Sequence, residues 1–83
     1  MPLEQLVQLL RARPFQPFRL VMTDGTVYEV RHPELVIATA GRAFVGYPGP
    51  EPPVATRVDI VALLHVVRFE FIAQPSQAGA GLG

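Results

Sequence analysis

The chain has no cysteine, lysine, asparagine or tryptophan, and its only serine is Ser76. Each absence removes some chemistry. Without cysteine there is no disulfide framework, no thiolate metal centre and no thiol nucleophile. Ser76 stands alone in a Gly-rich stretch, and the threonines Thr23, Thr26, Thr39 and Thr56 fall in or beside turns, strands and a loop. A hydroxyl nucleophile needs an adjacent base, and Asp24, the carboxylate beside Thr23, is already explained by its turn. No phosphate loop or dinucleotide fingerprint is present, so no cofactor is expected.

Missing lysine leaves arginine as the only strong base. Seven arginines meet seven carboxylates, for a formal net charge of +0. Charge balanced and scattered in this way sets up no long-range field toward nucleic acid or an anionic membrane. The joint absence of lysine and asparagine reads as the mark of a GC-rich genome. The N-terminus shows no basic segment followed by an apolar one, so no signal peptide is expected. The longest apolar run, residues 60–67, contains His65 and is far shorter than the roughly 20 residues that span a bilayer. The expectation is a cytoplasmic protein with no membrane contact.

What the chain does have is apolar content. Hydrophobic residues make up 49% of the 83 residues and charged ones 17%. That is enough for one small packed domain, with apolar surface to spare for an oligomer to cover.

The clearest local signal is a hairpin over residues 17–31. Phe18, Leu20 and Met22 alternate with Arg19, Val21 and Thr23. Asp24-Gly25 predicts a two-residue type I′ turn. On the return strand Tyr28 and Val30 share one face, and Val27, Glu29 and Arg31 the other. Ahead of the hairpin, residues 2–13 read as an amphipathic helix, with Leu3, Leu6, Val7 and Leu10 on one stripe. Pro2 suits its first turn and Pro14 stops it. Phe15 and Phe18 anchor the proline-stiffened linker between them.

After the hairpin, His32-Pro33-Glu34 breaks the ladder. Residues 35–40 predict a third strand. It is apolar on both faces, so both sides are expected to be covered, one by the core and one by the helix or a neighbouring subunit. Gly41-Arg42 predicts a turn, and residues 43–47 a fourth strand with Gly46 at a bulge or close approach. Residues 48–53 hold four prolines and read as a loop. A fifth strand starts near Arg57, residues 62–65 look like one helical turn, and residues 66–71 alternate as a sixth strand.

This order predicts a mainly β (α+β) fold. An N-terminal helix precedes a small, strongly bent antiparallel barrel of five to six strands, of the SH3-like or Sm-like kind. The domain is expected to span residues 1–73, with a disordered tail over 74–83.

Three stretches carry a family resemblance. They are Arg13-Pro14-Phe15-Gln16-Pro17-Phe18-Arg19-Leu20 with Thr23-Asp24-Gly25, then Glu29-Val30-Arg31-His32-Pro33-Glu34, and finally Val58-Asp59-Ile60 with Leu63-Leu64-His65-Val66. Together they resemble a family of small bacterial proteins with no assigned activity, over roughly residues 13–70. The resemblance therefore implies no functional residues. A strand, Asp-Gly and a strand after a short helix are also similar to the first motif of Sm-like RNA-binding proteins. The chain departs from that pattern in having no asparagine to hold a base, no lysine and no matching basic loop.

Two constellations remain. His32, Glu34 and His65, with Asp59 nearby as a fourth donor type, are the candidate metal ligands. Against that reading, a histidine in an apolar run is ordinarily packed, and one before proline ordinarily ends a strand. Arg19, Arg31 and Arg68 share a predicted outer face with Glu29 and Glu70. They form either a binding surface or a set of cross-strand ion pairs. The leading expectation is a non-catalytic protein–protein interaction module that self-associates. An Sm-like nucleic-acid module using Arg19, Arg31, Arg42 or Arg57 is the first alternative, and a metal-dependent enzyme at His32, Glu34 and His65 the second.

Overall fold

A computed structural model of the protein describes residues 1–51 and 54–72. The fold is mainly β with one helix. Helix α1 spans Leu3–Arg11, and the strands are β1 Phe18–Met22, β2 Val27–Val30, β3 Val36–Ala38, β4 Arg42–Pro48, β5 Ala55–Ala62 and β6 Val66–Phe71. Three-residue 3-10 turns, Pro33–Leu35 and Leu63–His65, separate β2 from β3 and β5 from β6.

The strands do not close into one barrel as expected. They divide into two three-stranded antiparallel sheets, β2-β1-β6 (sheet I) and β3-β4-β5 (sheet II). The physical cause lies at His32-Pro33. Pro33 has no N–H for a ladder and its fixed φ suits a 3-10 turn. The chain therefore turns at Pro33–Leu35 and changes sheets instead of running on as one bent strand. For the same reason the third strand is only Val36–Ala38, not residues 35–40.

The two sheets share one core. Phe18, Leu20 and Val30 of sheet I and Ala43, Val45 and Val61 of sheet II are buried together with Leu6, Leu63 and Val66. Helix α1 lies on this core and is shorter than the pattern suggested. Pro2 and Ala12 both have extended backbones. The Arg13 guanidinium then donates to the carbonyl oxygens of Leu10 at 3.4 Å and Ala12 at 2.9 Å, satisfying acceptors that the helix end leaves open. Phe15 holds the linker down, its ring 6.0 Å from that of Phe18.

The hairpin turn also differs from type I′. Gly25 has φ 88°, but no other residue among those described has positive φ. The Met22 carbonyl accepts from the Gly25 N–H at 3.0 Å, and the Met22 N–H donates to the Thr26 carbonyl at 2.8 Å. This is a three-residue loop, Thr23-Asp24-Gly25, with the glycine in the left-handed position after an ordinary turn. Asp24 earns its place by its side chain: Oδ1 accepts from the Thr26 N–H at 2.9 Å.

The second hairpin turns on Ala40-Gly41, one residue before the expected pair, with the Thr39 N–H donating to the Arg42 carbonyl at 2.8 Å. Gly46 is a close approach rather than a bulge. A Cβ there would lie 2.9 Å from the Leu35 carbonyl oxygen, while the bulge falls between Tyr47 and Pro48. Of the expected proline-rich loop, residues 52 and 53 lie outside the described residues, as does the expected tail over 74–83. Among the described residues no helix is long and apolar enough to cross a membrane.

Candidate functional site: the two outer faces

Pleating sends alternate side chains to opposite faces, so each sheet has a face turned away from the core. On sheet I that face is ionic. Register places Arg19 on the central strand between Glu29 and Glu70. Its guanidinium lies 3.4 Å from Glu29 Oε2 and 3.9 Å from Glu70 Oε1. Arg31 Nε reaches Glu29 at 3.2 Å and Arg68 Nε reaches Glu70 at 2.8 Å. The result is one alternating chain, Arg31–Glu29–Arg19–Glu70–Arg68, in which every carboxylate bridges two guanidiniums. The structure thus brings together the three arginines named from the sequence, with their carboxylates interleaved. Val21 and Val27, paired across β1 and β2, complete the face.

On sheet II the outward positions are mostly apolar, with Arg42 at one end of β4. Ile37, Phe44 and Ile60 lie opposite one another across β3, β4 and β5. Val58 lies in the next row, opposite Gly46. Ile37 is 66% exposed, Ile60 60% and Val58 55%. The expectation that β3 is covered on both faces therefore fails within the described chain. The helix packs on the core side, through Leu6, and nothing described lies over Ile37. The charged residues of β5 turn the other way. Arg57 and Tyr47 pair across β5 and β4, with the guanidinium 4.2 Å from the ring centroid, and Arg57 lies 3.4 Å from Asp59. Partial burial raises the Tyr47 phenol above its ordinary value.

The metal candidates do not converge. His32 Nδ1 lies 3.6 Å from Glu34 Oε2, at the turn between the sheets. His65 lies in the other 3-10 turn, where its carbonyl accepts from the Thr23 N–H at 2.9 Å beside the hairpin loop. Among the described residues no three of His, Cys, Asp or Glu are grouped to hold a metal ion. The sequence offered the right ligand types, but chain topology separates them.

Between the end of β2 and β4 the sheets splay and leave a hollow of about 210 Å³ lined by Arg31, His32 and Tyr47, among others. It is smaller than the roughly 300–1,000 Å³ of small-molecule pockets. The sequence marked the third strand as apolar on both faces, but not that Phe44, Ile60 and Val58 extend its outward row across β4 and β5. The signal in the third strand was present: apolar residues at both parities of a strand call for two covers. No family model matches the chain, and neither a curated protein nor a solved structure matches it.

Proposed function

We propose that this protein is a non-catalytic protein–protein interaction module that associates with itself through sheet II. One observation carries the reading: the outward row Ile37–Phe44–Ile60, with Val58 beside it, contains no charge and stands open to water. A contiguous apolar patch on a small domain marks a contact surface. Strands β3 and β5 are also sheet edges, and edges invite pairing. The ionic face of sheet I supports the same assignment by contrast. Its arginines are matched to carboxylates within the chain, which leaves little free charge for nucleic acid.

The element order supports a further reading of the framework. β2 and β3 follow one another with only a 3-10 turn between, and another such turn precedes β6. Two sheets joined in this way are related to the open, orthogonally packed halves of SH3-like and Sm-like folds. The cell compartment consistent with this reading is the cytoplasm.

Sedimentation velocity across micromolar concentrations tests the function. The mass is expected to rise with concentration, and Ile60→Glu is expected to hold the protein at 9.1 kDa monomer mass. A wild-type chain that stays monomeric throughout removes the proposal.

A further inference from the structure

We infer that two copies of this chain join edge to edge through β5, antiparallel about a two-fold axis at Val58; this rests on the self-association proposed above. β5 is the longest strand, with eight residues and no proline. It pairs with β4 on one side only, and among the described residues nothing pairs with its other side. Its charges are self-complementary. Arg57 and Asp59 stand on one face, two residues apart, on either side of Val58. An axis normal to the sheet through Val58 places Arg57 of one copy opposite Asp59 of the other, twice over. On the opposite face it sets Val58 against its own copy and Ile60 against Thr56. Moving the axis by one residue brings Asp59 against Asp59, or Arg57 against Arg57, and like charges directly opposite are destabilising.

The geometry favours β5 over the other long edge. β6 is flanked by the start of α1, where Met1, Pro2 and Gln5 face Val66–Phe69 across a hollow of about 420 Å³. At its far end the Ile72 N–H donates to the Pro17 carbonyl at 3.0 Å, which ties β6 to the linker. Pairing through β5 joins the two copies of sheet II into one six-stranded sheet. The apolar rows of both copies then lie side by side, with Val58 and Ile60 shielded at the junction.

The absence of cysteine makes the test clean. Residues directly opposite in an antiparallel pair have Cα atoms roughly 4.5–5.5 Å apart, within disulfide range. The exposed-site variant Val58→Cys is expected to oxidise rapidly to a covalent dimer, and Val67→Cys on β6 is expected not to. Charge reversal gives a second arm. Arg57→Asp and Asp59→Arg alone each set like charges opposite and are expected to weaken association on the order of tenfold. Mixed together they are expected to recover it, because each then faces the opposite charge. Dimerisation without the Val58→Cys disulfide and without recovery on mixing overturns the β5 contact and leaves self-association standing. A disulfide through Val67→Cys instead overturns it in favour of β6. A wild-type chain that is monomeric at every concentration overturns both the contact and the function on which it rests.

Discussion

Arg19 and Phe44 hold equivalent places in their sheets. Each lies on a central strand, faces away from the core and has one neighbour on either side. Arg19 stands between Glu29 and Glu70, and Phe44 between Ile37 and Ile60. The difference is in how each face is satisfied. A guanidinium between carboxylates completes its interactions within the chain, and water completes the rest. An apolar residue between apolar residues gains nothing from water, so its face gains free energy only when another surface covers it. The same alternation thus makes one face self-sufficient and leaves the other in need of a partner.

The contrast breaks most visibly at sheet II. Replacing both Ile37 and Ile60 by Glu puts charge into that apolar row. Association is expected to weaken at least about thirtyfold, or about 2 kcal/mol, by analytical ultracentrifugation. Folding is expected to hold within about 0.5 kcal/mol, because both side chains already face water. Next in size is Gly46→Ala, beneath the same face. The new methyl meets the Leu35 carbonyl, a backbone atom that cannot swing aside. A loss of about 1–3 kcal/mol is expected in denaturant unfolding.

On sheet I the effects are smaller. Glu29→Gln breaks the link between Arg31 and Arg19 and is expected to cost about 0.2–1 kcal/mol at low salt, fading as salt rises. Association is expected to be unchanged. The smallest effect is at the hairpin loop. The Thr26 N–H bonded to Asp24 holds that carboxyl below its usual range. A lowered folded value gives a contribution present above the unfolded value of about 3.9 and lost as pH falls through the folded one. Protection of the Thr26 amide, taken relative to its intrinsic exchange rate, is therefore expected to fall in acid, and Asp24→Asn to flatten that dependence.

Local order was legible wherever neighbours in sequence decide it. The expected sixth strand over residues 66–71 forms as β6, although a bulge at Val67 interrupts the alternation and sends Val66, not Val67, to the core. The ionic face was readable because Arg19, Glu29, Arg31, Arg68 and Glu70 share a parity on strands that the hairpin and β6 bring together. What failed depended on longer-range geometry. Asp24-Gly25 suits both a two-residue and a three-residue loop, and the pairing of Met22 with Thr26 decided between them. Pro33 announced a break in the ladder but not that the chain would change sheets. His32, Glu34 and His65 had the chemistry of ligands, and topology put them on two different turns.

Methyl NMR across a dilution series tests the central claim most directly. The Val58 and Ile60 methyl resonances are expected to move with concentration while those of Val21 and Val27, on the ionic face, stay fixed. Shifts confined to Val21 and Val27, or no shift anywhere at monomer mass, would contradict it.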